Sequence, residues 1–143
     1  MRTLSLAGLM LMVAGIAGLF YERALFSPAP LAIAVQAAAI ALMIWARITF
    51  GRRSFHAAAD PTSGGLVTTG PYHFIRHPIY TAATLFCWAG ALASPSLKSI
   101  GCAVLVLIGG LLRMRSEETL VVQRYPEYRE YAQRTKRMLP YVF

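Results

Sequence analysis

The chain has 143 residues, enough for one domain, and 57% of them are hydrophobic while 14% are charged. A soluble domain carries about 25% charged residues and spreads them along its length, whereas here the charges crowd into a few stretches. This pattern excludes an ordinary soluble domain and is typical of a membrane protein. The net charge of +8 does not call for a nucleic acid, because basic residues beside spanning helices orient the chain and attract anionic lipid head groups.

The first two uncharged runs predict membrane-spanning helices. The run 3–20 is rich in Leu, Met, Ala and Gly, and the run 24–46 becomes helical near Leu31, after two prolines. A helix needs about 20 apolar residues to cross about 30 Å of hydrocarbon, which both runs meet or approach. We interpret the first run as a retained helix rather than a secretory signal, because residues 21–23 are large or charged where small residues would mark cleavage.

The third and fourth uncharged runs are shorter and leave three possibilities open. They cover 78–97 and 99–112, and the third is predicted to end at the turn signal 94–96. Either the bilayer thins around them, or the fourth helix continues past Leu112. In the third possibility the two segments form a re-entrant hairpin that does not cross.

The basic residues predict the orientation. If all four segments cross, Arg23 and Lys98 fall on one side and every other Lys and Arg falls on the opposite side. The positive-inside rule then puts both termini and the long loop in the cytoplasm. We therefore predict an all-α, multi-pass integral membrane protein with about four transmembrane helices and an interfacial, cytoplasmic C-terminal helix. Its single membrane domain, 1–143, comprises two N-terminal helices (1–46), a cytoplasmic loop (47–77) and a catalytic helical hairpin with its tail (78–143).

The end of the loop carries the first candidate site residues. Three glycines in 64–70 allow the backbone to approach a ligand or to take positive φ. Pro78 is placed to begin a helix, whose N-terminus favours anionic groups. Arg76 by itself is most simply an interfacial anchor. The whole cluster of Gly-Pro-Tyr followed by His-Pro-x-Tyr, which includes His77 and Tyr80, is instead predicted to be functional.

The tail carries the second set, on the same membrane face as the loop. Arg113 and Glu117 share one helix face if the fourth helix continues past the apolar run. An ordinary surface ion pair is worth less than about 1 kcal/mol, but charges at the end of a spanning helix usually serve a function. The carboxylate suits an ammonium group, and the guanidinium suits a carboxylate or phosphate. An amphipathic helix is predicted from Tyr125 towards Arg137, either as an interfacial helix or as a lid over a cofactor.

Five motifs follow one another in the second half of the chain: Gly70-Pro71-Tyr72, Arg76-His77-Pro78-Ile79-Tyr80, Arg113-x-x-x-Glu117-Glu118, Tyr125-x-Glu127-Tyr128-x-x-Tyr131 and Leu139-Pro140. Together they resemble the isoprenylcysteine carboxyl methyltransferase and phospholipid methyltransferase superfamily of integral membrane enzymes. The resemblance covers roughly 64–143. The two N-terminal helices match only in being hydrophobic.

The resemblance implies S-adenosylmethionine as cofactor, bound between loop and tail, and methyl transfer to a membrane-associated acceptor. That acceptor would be a carboxylate of an isoprenylcysteine-like or other lipophilic small molecule, and Arg113 would be the catalytic residue that meets it. Gly64 and Gly65 lie where relatives often carry a larger polar or basic residue, so the cofactor would contact mainly the backbone at these two positions. The implied cofactor-binding residues are Gly64, Gly65, Leu66, Val67, Tyr72, His77, Pro78, Ile79, Tyr80 and Glu117.

Other functions remain open at this point. A phospholipid amine or a thiol could be the acceptor, and its proton would then pass to His77 or Glu118. An NADPH-dependent membrane reductase and a non-enzymatic membrane subunit are two further alternatives. The predicted partners are a lipophilic small molecule and membrane lipid. A metal is not expected, since neither cysteine has a metal-ligand partner at useful spacing. Nucleic acid is not expected either, because the membrane accounts for the net positive charge.

Overall fold

A computed structural model describes residues 1–51 and 65–140. Within this part of the chain the regular secondary structure is helical, which confirms the all-α prediction. The elements are α1 (Arg2–Tyr21), α2 (Pro30–Phe50), a short 3-10 turn (Gly70–His73), α3 (Pro78–Ala93), α4 (Leu97–Arg124) and α5 (Tyr128–Arg134).

Helix α2 is slightly longer than predicted. It begins with Pro30 in its first turn, where the missing N–H costs nothing. It ends before Gly51, whose φ of +67° lies in the region that favours glycine. Residues 47–50, at the start of the segment predicted as cytoplasmic loop, still belong to α2.

Helix α4 takes one of the three possibilities left open by the sequence. It starts after Ser96, whose Oγ accepts a hydrogen bond from the Ser99 amide (3.0 Å) while the Ser99 Oγ accepts one from the Ser96 amide (2.8 Å). This reciprocal capping box satisfies two amides at the helix start. The helix then runs through Leu112 to Arg124. Its 28 residues correspond to about 42 Å at 1.5 Å per residue, so the polar end of α4 reaches beyond its apolar part.

Among the described residues, α1, α2 and α4 are long and apolar enough to cross a membrane. Helix α3 is equally apolar in character but has 16 residues, about 24 Å. Three to four long apolar helices of this kind are the architecture of an integral membrane protein.

Glycines bring the helices together. A Cβ added at Gly15 of α1 would lie 2.6 Å from the Cys102 carbonyl oxygen, and one at Gly109 would lie 2.5 Å from the Gly8 carbonyl oxygen. Small residues of this kind let membrane helices pack backbone against backbone. On the other side, buried Gln36 of α2 donates from Nε2 to the carbonyls of Leu25 (2.7 Å) and Phe86 (3.3 Å). These contacts place α4 against α1 and place α3 against α2.

The predicted C-terminal helix is shorter than expected. Helix α5 spans Tyr128–Arg134, and the following residues are extended along the segment that precedes α3. The Arg76 amide donates to the Lys136 carbonyl (2.7 Å), and the His77 amide donates to the Arg137 carbonyl (3.0 Å). This pairing is a parallel β-bridge between Ile75 and Lys136, which requires extended backbone and so ends the helix before Lys136.

Candidate active site

The amino end of α3 forms one wall of the candidate site. Pro78 is its first residue and His77 its N-cap, as the sequence predicts. The His77 carbonyl accepts the Thr81 amide (3.0 Å). The first-turn amides of Ile79 and Tyr80 have no carbonyl four residues earlier inside the helix, so this end can receive an anionic group.

Three side chains from α3 and α4 form a continuous hydrogen-bonded chain. Arg113 Nε donates to the Tyr80 hydroxyl (2.7 Å), and that hydroxyl donates to Glu117 Oε1. Arg113 Nη2 also lies 3.6 Å from Glu117 Oε1, which confirms that the two residues share a helix face. Arg113 is buried, and its Nη1 donates to the Ser5 carbonyl of α1 (3.4 Å). Its guanidinium is therefore held at a fixed place where α1, α3 and α4 meet.

The buried His77 ring contacts two consecutive carboxylates. Its Nε2 lies 3.1 Å from Glu118 Oε1, and its Nδ1 lies 3.8 Å from Glu117 Oε2. Since an ionised carboxylate only accepts hydrogen bonds, this geometry assigns a proton to Nε2. The His77 ring and the Glu117 carboxylate thus lie at the same end of the bundle, as a shared site requires.

Glu118 holds a compact ionic group that sequence reasoning did not find. It accepts from Arg76 Nε (3.0 Å) and from Arg137 Nη2 (2.9 Å). Arg76 also donates to the carbonyls of Ala132 and Thr135. The interpretation of Arg76 as an interfacial anchor is therefore wrong. Its side chain is 10% exposed, because the carboxylate and two carbonyls satisfy its charge inside the fold.

The C-terminal tail packs against the loop and against the first turns of α3, beside the ionic group around Glu118. The Thr81 hydroxyl lies 3.1 Å from the carbonyl oxygens of both His77 and Met138, which share its proton. The Tyr131 hydroxyl donates to the Tyr72 carbonyl (2.6 Å). Buried Tyr128 packs edge-on against Tyr131. Burial raises the pKa of Tyr131 to about 12, and burial also raises the pKa of Tyr128 above its usual range. Both phenols therefore stay neutral at physiological pH and act as packing and hydrogen-bonding groups.

The loop residues named from the sequence precede this cluster. Gly65, with φ of +80°, and the half-buried Leu66 and Val67 lie in a segment without regular secondary structure. Tyr72 is buried, with its ring against the last residue of α2. Gly64 lies outside the described residues.

The sequence-predicted residues fall into two groups. The structure brings four of them into direct contact: His77, Tyr80, Arg113 and Glu117. Pro78 and Ile79 flank them in the first turn of α3, and Tyr72 connects to the tail through Tyr131.

The contribution of Arg137 was missed. It lies among several basic tail residues that are alike in sequence. The doublet Glu117-Glu118 at the end of α4 was the available signal, since adjacent helical residues point in directions about 100° apart and so meet different partners.

Comparisons with known proteins agree with the motifs. A model of the phospholipid methyltransferase family matches residues 28–128. The nickel-cobalt-cadmium resistance protein NccN of Alcaligenes xylosoxydans xylosoxydans is 36% identical over 78 residues, which cover 52% of this chain and 36% of the relative. The cobalt-zinc-cadmium resistance protein CzcN of Cupriavidus metallidurans is 36% identical over 78 residues, with 52% and 35% covered. The chain therefore spans about a third of the length of the curated relatives it matches. No solved structure matches it.

Proposed function

Because the chain belongs to the phospholipid methyltransferase family, a family of membrane methyltransferases, we propose that it transfers the methyl group of S-adenosylmethionine to a lipophilic acceptor at the cytoplasmic face. The observation that carries the proposal is the hydrogen-bonded chain from Arg113 through Tyr80 to Glu117 at the polar end of α4. The excess of basic residues on this face supports its cytoplasmic location.

Glu117 is the carboxylate suited to the cofactor's ammonium group. Its side chain is 28% exposed, against 14% for Glu118. Glu118 is already surrounded by Arg76, His77 and Arg137. A cationic ligand would therefore gain more from Glu117. The first-turn amides of α3 would receive the cofactor's carboxylate, and the backbone from Gly65 to Val67 would lie alongside.

The cofactor would supply an activated methyl group, so that transfer to a carboxylate leaves a neutral ester and a neutral thioether. What the protein must supply is mainly alignment of donor and acceptor. Arg113 fits that task, because Tyr80 and the Ser5 carbonyl hold its guanidinium in place before the acceptor arrives. A guanidinium binds a carboxylate or a phosphate with two parallel hydrogen bonds.

An amine acceptor is the second candidate, because proton-accepting groups lie at this site. An amine loses a proton when it is methylated, so a nearby base is needed. His77 lies between the Glu118 and Glu117 carboxylates, at 3.1 and 3.8 Å, so a proton released by an amine here would pass to one of these three groups. A phospholipid, which the family's name specifies, would be such an acceptor where its head group carries an amine. A carboxylate acceptor needs no base, so the two acceptors predict different roles for His77.

The direct test is transfer of radiolabelled methyl from S-adenosylmethionine to lipid extracts, with mass identification of the product. Binding of S-adenosylhomocysteine to the detergent-solubilised protein tests the cofactor separately. Glu117→Ala is expected to weaken that binding more than tenfold, whereas Arg113→Ala should preserve it and impair turnover. The exposed Glu130 provides the matched control. Stabilisation by NADPH and not by S-adenosylhomocysteine would instead support a reductase.

The two relatives add a cellular setting to this proposal. Their names describe resistance to nickel, cobalt, zinc and cadmium. We extend this to the present chain as a testable role: its expression in a metal-sensitive host should improve growth in these metals. An Arg113→Ala variant should fail to do so if methyl transfer underlies the effect, and equal protection by both forms would separate resistance from the proposed activity.

A further inference from the structure

Thr84 of α3 carries a buried hydroxyl with no hydrogen-bond partner among the described residues. The residue is 8% exposed. Hydroxyl residues elsewhere in these helices bond back to the carbonyl four residues earlier, as do Thr81, Ser116 and Thr119. Thr84 does not. A buried hydroxyl without a partner loses about 1–3 kcal/mol relative to a satisfied one, so its position calls for a ligand.

Gly110 of α4 has open space where a side chain would lie. It is buried, yet a Cβ built on it would meet nothing within 4 Å. Its neighbour Gly109 is the opposite case, since a Cβ there would lie 2.7 Å from the Met12 side chain. Gly109 is thus explained by the close contact with α1. Packing against α1 does not explain Gly110, because no atom of α1 lies within 4 Å of a Cβ built there.

Helical spacing places these two residues together. Thr84 follows Tyr80 by four positions on α3, and Gly110 precedes Arg113 by three positions on α4. Residues three or four apart share a helix face. Because Tyr80 and Arg113 are hydrogen-bonded to each other, Thr84 and Gly110 lie one turn further into the membrane between the same two helices. Still deeper, a packed core that includes Cys87 of α3 and Val106 of α4 occupies the bundle.

We propose that Thr84 and Gly110 form the head-group subsite of the methyl acceptor. The Thr84 hydroxyl donates to an anionic oxygen of a lipid-soluble acceptor, either a carboxylate or a phosphate, and the missing side chain at Gly110 leaves room for it. Arg113 binds the same anionic group from the cytoplasmic side. This inference rests on the proposed methyl transfer and deepens it, because it assigns the residues that recognise the acceptor.

Thr84→Val tests whether the hydroxyl binds the acceptor, and Gly110→Ala tests whether the acceptor needs the open space at this glycine. Valine has the shape of threonine without its hydrogen-bonding group, so Thr84→Val should fold at least as stably as the wild type. Alanine has a higher helix propensity than glycine, so Gly110→Ala should fold equally well. The matched controls are Thr84→Ser, which keeps the hydroxyl, and Gly101→Ala. Gly101 also has nothing within 4 Å of an added Cβ, but it is exposed.

The experiment measures methyl transfer to two probes, N-acetyl-S-farnesylcysteine and phosphatidylethanolamine in vesicles, together with S-adenosylhomocysteine affinity and thermal stability. Thr84→Val and Gly110→Ala are each expected to raise the KM for the preferred probe on the order of tenfold. For Thr84→Ser and Gly101→Ala, the KM for the same probe should stay within about twofold of the wild-type value. The preferred probe distinguishes a carboxylate acceptor from a phospholipid.

Three results separate the possible failures. Unchanged acceptor KM in both Thr84→Val and Gly110→Ala, with S-adenosylhomocysteine still bound, would overturn the subsite and leave the methyltransferase proposal standing. Wild-type protein that neither binds S-adenosylhomocysteine nor transfers methyl groups would overturn both. A raised KM accompanied by equal loss of S-adenosylhomocysteine affinity would also overturn the subsite, because it would show a general disturbance of the pocket.

Discussion

Replacing Glu118 with alanine is expected to release the C-terminal tail from the amino end of α3. This carboxylate accepts from Arg76 (3.0 Å), His77 (3.1 Å) and Arg137 (2.9 Å). Arg76 in turn holds two carbonyls in the segment 132–135. Removing the carboxylate leaves three hydrogen-bond donors facing one another without the acceptor that they share.

The magnitude follows from burial. Removing one partner of a buried ion pair costs about 3–5 kcal/mol. We expect the low end, about 3 kcal/mol, because Arg137 is 43% exposed and contributes little in water. The matched control is Glu130→Ala, which breaks the Arg134–Glu130 pair of α5. Both side chains of that pair are at least 66% exposed, so its loss should cost well under about 1 kcal/mol.

Hydrogen exchange of the Arg76 and His77 amides measures the release. Both amides donate to the tail, to the carbonyls of Lys136 and Arg137. A loss of about 3 kcal/mol in local opening corresponds to exchange about 100-fold faster. Glu130→Ala should change it less than about fivefold. If Glu118→Ala alters the exchange of these amides no more than Glu130→Ala does, the ionic group does not hold the tail and the reasoning is refuted.

The remaining predictions concern packing, ionisation and topology. Gly109→Ala should destabilise the protein by about 1–3 kcal/mol, since the added Cβ would lie 2.5 Å from a backbone oxygen of α1. Unfolding in denaturing detergent measures this change, and Gly101→Ala should leave the free energy of unfolding unchanged. Burial raises the pKa of Tyr131 to about 12, against about 10 when unfolded. The folded state then binds this proton more tightly, so stability should fall as pH rises from about 10 towards 12, and absorbance at the tyrosinate band should show ionisation together with unfolding. Cysteines introduced at Lys98 and Arg129 should label from opposite membrane faces in intact cells; labelling from the same face would contradict the orientation.

Periodicity and local chemistry account for the parts of the fold that the sequence predicted. The uncharged runs, the two prolines at helix starts and the turn at 94–96 mark α1 to α3 and the start of α4 within a few residues, because lipid requires helices whose backbone groups are satisfied internally. The Arg113–Glu117 contact follows from spacing within one helix. The motifs also indicated the family before any geometry was known.

Periodicity and local chemistry did not predict the contacts between segments that are distant in the sequence. The shortened α5 depends on pairing between the tail and residues 75–77, and the role of Arg76 depends on a glutamate 42 residues away. Tail residues such as Arg134, Lys136 and Arg137 are similar in sequence, but Arg137 reaches Glu118 while Arg134 pairs with Glu130.

By itself the sequence determined that this chain is a helical membrane protein with polar chemistry at one face, since hydrophobic length and local spacing are properties of contiguous residues. Tertiary structure alone decided which carboxylate remains accessible and which is enclosed by cations. Within residues 1–51 and 65–140, it also left the Thr84 hydroxyl without a hydrogen-bond partner. The physical reason is that burial and hydrogen-bond satisfaction depend on which helix faces meet, and the packing of α4 between α1 and α3 sets those faces.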